Sequence, residues 1–459
     1  MTSSVLSTRE TYHIVDDLTV EVGVHQNPYQ FQLDELFQMA TRINKKRSFL
    51  FVSKVLGKHL AVNPHTPLLV GSLLAMRYME VVHGLNDPRA TAIAQAIQTN
   101  EQTEQLLASI RNKPIALPRL TTFIGFAETA TALGHAVFST FNNNAKYIHT
   151  TREQINERTS IIDFEEEHSH ATSHRVYARD LQFFQDDSEV VLVDDEITTG
   201  KTAINIIKTI VAAYPSKKIF TVVSILDWRS VEHRQRYRQL EKELGITIHA
   251  VTLVDGDVTV TGQPVLEESV VEAASESIQE LTYVSMKGFM ANELLERVTS
   301  ISANGSRNSS PYLTATGRFG HTIEEDNTFL RQLEMAACHI KRQRRGAKTL
   351  VVGTGEFMYV PMQIASYMGS NVYFQATTRS PIYQIDRESY TIQNKFTFDS
   401  PENTGVVNHL YNIKPHQYDE IFIIVERMSS VNGLDTLLKE LRKTQIPYVT
   451  IVTMTEQFE

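Results

Sequence analysis

The sequence is poor in the features that mark secreted, membrane and nucleic-acid-binding proteins. Only one of its 459 residues is cysteine, Cys338, so no intrachain disulfide can form and a cysteine-built structural metal site is excluded. There is one tryptophan, Trp228. No apolar run approaches the ~18 residues of a bilayer span. The longest candidate, Pro67 to Met76, is interrupted by Gly71 and Ser72. The opening MTSSVLSTRETYHIVDD has neither a basic start nor an apolar core, so no signal peptide is read there. These absences lead to the expectation of a cytoplasmic protein with no membrane partner. An excess of positive charge is also missing. With 44 Lys and Arg against 53 Asp and Glu, the formal net charge is −9, and nucleic acid is not an expected partner. The one dense basic cluster, Lys341, Arg342, Arg344, Arg345 and Lys348, follows apolar Leu333, Ala336, Ala337 and Ile340. It reads as the end of an amphipathic helix, where cations suit the helix dipole.

What is present is an ordinary globular composition, 42% apolar and 21% charged, long enough for two or three domains. Short β-branched runs alternate with helical stretches, the signature of an α/β architecture with a largely parallel sheet. Strands are expected at Phe49–Val52, Thr122–Gly125, Val190–Val193 and Ile219–Leu226. Two more are expected at Ile248–Val254 and Val258–Val260, around a turn at Asp255-Gly256-Asp257. Apolar periodicity predicts helices over Thr91–Ile110 and Lys201–Tyr214. The stretch from Thr299 to Pro311 is rich in Ser, Asn and Gly and lacks periodicity, which puts a linker at 299–315 between domains at 1–298 and 316–459. Beyond it the rhythm resumes. Strands are expected at Thr349–Val352, Asn371–Phe374, Glu420–Val425 and Tyr448–Thr453, and helices at Val360–Met368 and Leu434–Arg442.

The most informative segment runs from Val190 to Thr202. A buried strand ends in two adjacent carboxylates, Asp194 and Asp195. The loop Glu196-Ile197-Thr198-Thr199-Gly200 follows, and a helix opens with Lys201 and Thr202. Ligands in open α/β sheets bind at this end of the strands. The loop and helix N-terminus offer backbone N–H groups to a phosphate monoester, and Gly200 tolerates positive φ. The hydroxyls of Thr198, Thr199 and Thr202 add donors. Asp194 and Asp195 suit the vicinal hydroxyls of a ribose, and their mutual repulsion invites Mg2+ nearby. A strand–turn–helix with an Asp cap is the bland alternative. A Walker A loop is not, because only Gly200-Lys201-Thr202 matches its end.

This segment resembles the signature of type I phosphoribosyltransferases, which bind 5-phosphoribosyl-1-pyrophosphate (PRPP). It departs from that pattern at Glu196, where most members carry an aliphatic residue. The resemblance implies the type I fold, a mostly parallel sheet with helices on both faces. It also implies a pyrophosphate-holding loop after an earlier strand. Glu128, Thr129, Ala130 and Thr131 occupy that place here, with their backbone amides expected to face the pyrophosphate. Arg152 and the polar stretch with His168 and His170 occupy the place of a flexible loop that closes over the site and excludes water. The histidines and glutamates of that stretch also look like metal ligands, and a solvated loop is the third reading. Lys54, Lys58 and His59 stand where an N-terminal hood meets an anion or the acceptor, with an ordinary hairpin as the alternative. Trp228 is read either as a stacking partner for a heterocycle or as core.

Two C-terminal loops follow strands and suit an anion. One holds Gly353, Gly355 and Glu356; the other, Thr377-Thr378-Arg379-Ser380-Pro381, holds Arg379 and Ser380. Together with Leu56-Gly57-Lys58-His59 and Glu166-Glu167-His168-Ser169-His170, the Thr-Arg-Ser-Pro string is similar to the family in which an orotate-phosphoribosyltransferase-like domain is followed by a TRSP domain, encoded in tellurite-resistance and stress gene clusters. The second domain is expected to be a smaller, Rossmann-like α/β unit. The resemblance implies an enzyme that uses PRPP and Mg2+ to move 5-phosphoribose to or from an unidentified nitrogenous acceptor, releasing pyrophosphate; a homodimer is one assembly it allows. The rivals are a non-catalytic PRPP- or nucleotide-binding regulator and a C-terminal domain that is a separate enzyme.

Overall fold

In the run Glu189–Val193 consecutive side chains alternate between two hydrophobic clusters. Val191 and Val193 belong to the cluster that includes the helix His65–His83, and Val190 and Leu192 to the one that includes the helix Lys201–Ala213. A strand covered on both faces is where an uninterrupted apolar run belongs. The computed structural model describes residues 9–43, 48–165, 173–264, 279–290, 292–302, 304–402, 405–428 and 431–455. In it this strand lies in a nine-stranded sheet between Thr121–Gly125 and Ile219–Asp227. Ala145–His149 and Thr247–Thr261 flank these, and all four junctions are parallel. The edges are antiparallel: Leu18–Gln26 and then Arg9–Val15 on one side, His321–Thr322 on the other.

The turn expected at 255–257 is absent. Thr247–Thr261 is one strand that pairs with Ile219–Asp227 along its first half and with Leu18–Gln26 along its second, with a register shift at Asp255/Gly256. The chain bends there instead of reversing. Gly256 permits the close approach, since a Cβ on it would sit 2.1 Å from the Gly23 carbonyl. The single helix expected over Thr91–Ile110 is two, Ala90–Thr99 and Thr103–Asn112. Asn100 and Gln102 between them take positive φ, which ends a helix. The basic cluster does follow an amphipathic helix. Ile323–Lys341 opens on a Thr322/Glu325 capping box and buries Leu333, Ala336, Ala337 and Ile340.

A second sheet has five parallel strands in the order Glu280–Ser285, Tyr448–Thr453, Glu420–Val425, Thr349–Gly353, Val372–Ala376. Its outermost strand, Glu280–Ser285, comes from before the expected linker, while His321–Thr322, from after it, pairs with the first sheet. The linker residues themselves are tied down. Ser300–Ile301 pairs with Gln154–Ile155, and Tyr312 and Leu313 are fully buried. One continuous cluster holds Phe123 and Val191 of the first sheet together with Val351 and Phe374 of the second.

The seam between the sheets is charged. Arg318, 3% exposed, lies 3.1 Å from Glu153, 2.7 Å from Glu356 and 4.0 Å from Glu426, with its guanidinium over the Tyr312 ring. Replacing it strands three carboxylates. Arg318→Met is expected to lower unfolding stability by about 3–5 kcal/mol in a denaturant titration. A loss below about 1 kcal/mol, the scale of an exposed pair, would mean that the cluster contributes nothing beyond packing.

Candidate active site

The loops that leave the C-terminal ends of the first sheet's strands converge on a cavity of about 410 Å³. Its walls include Asp194 and Asp195, the run Thr198–Ala203, Phe126–Thr129 and Arg152. Leu50, Phe51, Ser53, Lys58 and His59 come from the hood, where Phe49–Ser53 pairs with Phe37–Thr41. Arg379, Ser380 and Pro381 come from the loop after Val372–Ala376 of the second sheet.

The Thr198–Thr202 turn is supported from beneath. Gly200 has φ 71° and caps the helix Lys201–Ala213. A Cβ on it would lie 2.5 Å from the Tyr237 hydroxyl, which donates to the Gly200 carbonyl at 2.9 Å. Arg229 stacks over the Tyr237 ring and is chelated by buried Asp227 at 2.8 and 3.0 Å. Those two carboxylate bonds raise the Arg229 pKa despite burial. Trp228, between them, is core: it is 5% exposed and stacks on Phe51. Asp194 is fixed by its N–H to the Val223 carbonyl, and Asp195 N–H donates to the Asp194 carboxylate at 3.0 Å.

The 126–129 loop is held by Phe126 N–H on the Val193 carbonyl and Ala127 N–H on Thr150 Oγ1, and the Ala127–Glu128 peptide is cis. Glu128 and Thr129 line the cavity, whereas Ala130 and Thr131 sit in the helix Ala130–Phe138 behind it. Thr131 donates to the carbonyls of Glu128 and Glu356. The Glu128 carboxylate reaches the other sheet, accepting from Thr378 Oγ1 at 2.9 Å and from Arg379 N–H at 3.3 Å.

Gly353, Gly355 and Glu356 do not join Arg379 in the cavity. Gly355 N–H bonds Thr377 Oγ1, and Glu356 turns into the seam, where it accepts from Thr151 Oγ1 and Arg318 at 2.7 Å and from Arg152 N–H at 3.1 Å. His168 and His170 lie outside the described residues. Lys58 and His59, read from sequence only as alternatives, are in the wall. Burial holds His59 neutral, its pKa well below the imidazole range, and both of its ring nitrogens are without a hydrogen-bond partner among the described residues. Arg42 was not singled out in sequence. It carries no motif and reaches the cavity by bridging to Ile382 across the seam.

Residues 36–257 match the family model of phosphoribosyl transferases, and residues 315–441 match that of the TRSP domain C-terminal to it. The chain thus carries a phosphoribosyl transferase domain followed by a TRSP domain, and is a transferase. Similar solved structures include adenine phosphoribosyltransferase from Trypanosoma brucei in complex with AMP, pyrophosphate and ribose-5-phosphate (14% identity, TM-score 0.30, 51% of this chain and 82% of that one). Another is adenine phosphoribosyltransferase from Rhodothermus marinus (14%, 0.22, 37% and 87%). A third is orotate phosphoribosyltransferase from Mycobacterium tuberculosis in complex with PRPP (14%, 0.18, 40% and 88%). Among curated proteins none matches the chain. No helix among the described residues is long and apolar enough to cross a membrane.

Two carboxyls beside the seam give it a pH signature. Burial, with Glu426 nearby, pushes Glu402 up to about 8, and burial pushes Glu426 up to about 7. Both hold protons in the folded state that the unfolded chain releases above the ordinary carboxylate range. Their contribution to stability is therefore full below about pH 4.5 and is lost as pH rises through 7 and 8. Glu402→Gln, which stays neutral, is expected to raise Tm at pH 8 and leave it unchanged at pH 5. An equal Tm difference at both pH values would show that Glu402 does not titrate there.

Proposed function

We propose that this transferase moves the 5-phosphoribosyl group of PRPP to a nitrogenous acceptor, or runs that reaction in reverse. The observation that carries the reading is that the acid pair and the Thr–Gly turn line one cavity with the 126–129 loop, which lies 65 residues or more earlier in the sequence. In this reading Asp194 and Asp195 accept hydrogen bonds from the ribose hydroxyls. Thr198, Thr199, Gly200, Lys201 and Thr202 cradle the 5-phosphate at the start of a helix, and Glu128 and Thr129 flank the pyrophosphate. The bond from the anomeric carbon to the pyrophosphate oxygen breaks, and its electron pair leaves with pyrophosphate. The acceptor nitrogen supplies the pair for the new C–N bond and gives its proton to solvent. The site's part is positioning, plus stabilisation of the leaving charge.

Mg2+ suits the residues present, because Asp194 and Asp195 place hard carboxylate oxygens side by side at the cavity wall. When bound it would offset charge on PRPP. The family's stress and tellurite-resistance setting makes a nucleotide-like small molecule the product we favour. A non-catalytic binder is the second reading, favoured by Glu196, which adds a third carboxylate to the wall.

Calorimetric titration of PRPP with Mg2+ should show binding to the wild type and none to the Asp194→Asn/Asp195→Asn double variant. A folded wild type that gives no heat ends the transferase reading. Binding without pyrophosphate release across an acceptor screen selects the regulator.

A further inference from the structure

The cavity is not walled by the transferase domain alone. Arg379, in the Thr-Arg-Ser-Pro string of the second sheet, lines the same cavity as the acid pair and the Thr–Gly turn. It enters beside the 126–129 loop, because its backbone N–H is bonded to the Glu128 carboxylate. Its half-buried guanidinium has no carboxylate within ion-pair distance among the described residues. Glu356, whose pKa it helps depress, is already taken by Arg318, Thr151 and the Arg152 N–H.

Glu128 is the second observation. A carboxylate in a loop that receives pyrophosphate would repel it. Here the charge is turned out of the loop, bound by Thr378 Oγ1 and the Arg379 N–H, and serves as a strut that fixes where Arg379 stands. The string is also tied on its far sides. Thr378 exchanges backbone hydrogen bonds with His409, and the Tyr411 hydroxyl donates to the Ser380 carbonyl at 2.6 Å. Tyr383 N–H bonds the Thr41 carbonyl of the hood. An arginine presented from so fixed a backbone loses little order on meeting an anion.

We infer that Arg379 is a pyrophosphate-binding residue of the transferase site, so that the TRSP domain completes the site of the domain before it. The inference rests on the PRPP reading above. In that reading the 5-phosphate is held by the turn at Gly200, while Arg379 stands beside the 126–129 loop that flanks the diphosphate. Arg379 therefore meets the diphosphate of PRPP and the charge that collects on it as the bond to the anomeric carbon breaks.

The test is titration of full-length protein, in Mg2+, with inorganic pyrophosphate, PRPP and ribose 5-phosphate separately. Arg379→Ala is expected to weaken pyrophosphate and PRPP by about ten-fold or more and leave ribose 5-phosphate unchanged. Arg379→Lys, which keeps the charge but not the fork, should fall between. Glu128→Gln, which loosens the strut but leaves the guanidinium in place, should weaken pyrophosphate less than Arg379→Ala. Equal pyrophosphate affinity in the wild type and Arg379→Ala, both binding ribose 5-phosphate, overturns the inference and leaves the transferase reading standing. A loss confined to ribose 5-phosphate puts Arg379 at the wrong end and also overturns it. A wild type that binds none of the three defeats the PRPP reading, and this inference with it.

Discussion

A guanidinium buried away from water needs acceptors around it, and where these are carboxylates they must come from somewhere. Arg318 draws them from three places: Glu153 after the first sheet's strand Ala145–His149, Glu356 after Thr349–Gly353, and Glu426 after Glu420–Val425. None of the three loops can shift without leaving a buried charge unmatched. The interaction fixes how the strand ends of the two sheets face each other. Glu356 transmits the constraint to the cavity, because its other oxygen receives the Arg152 N–H, and Arg152 is in the wall. The same loop holds Gly355 N–H on Thr377, at the root of the Thr-Arg-Ser-Pro string.

The anion turn depends on a second chain of support that lies wholly in the first domain. Asp227 orients Arg229, Arg229 lies on Tyr237, and the Tyr237 hydroxyl holds the Gly200 carbonyl. The tyrosine sits where a Cβ on residue 200 would be, so glycine is demanded twice, by its positive φ and by the ring packed against it. A loop that offers its own N–H groups to a ligand gains from such backing, since a slack loop would lose on ordering what it gains on binding.

Legibility in the sequence tracks how local each determinant is. The strand, acid pair, turn and helix from Val190 to Thr202 are contiguous, so their chemistry and secondary structure could be read together. Strands Glu420–Val425 and Tyr448–Thr453 were legible for the same reason, each being a short apolar run closed by polar residues. The helix His65–His83 was hidden because it is buried almost all round from Thr66 to Met79 and so has no polar face to mark a period. Thr247–Thr261 misled because its Asp-Gly-Asp is a bend imposed by two different partner strands. The Thr-Arg-Ser-Pro string was visible as a motif, but its destination was not. Glu128 and Thr378 are 250 residues apart, and no local pattern says that an acid in one strand-end loop will fasten another.

That long-range contact explains why two parallel sheets should meet at their strand ends at all. Each strand-end loop presents backbone donors, and two such sets facing one another would repel unless something anionic lay between. Glu128, Glu153 and Glu356 supply part of that negative charge within the protein, and each is matched by donors or by Arg318. What they leave over is the cavity, where Arg379, Lys58 and Lys201 share the walls with the Thr–Gly turn. Asp194, Asp195 and Glu196 sit among these cations and keep the net field of the pocket modest. The walls therefore set cations and hydroxyl donors beside carboxylate acceptors, a lining that suits a ligand carrying both negative charge and hydroxyls.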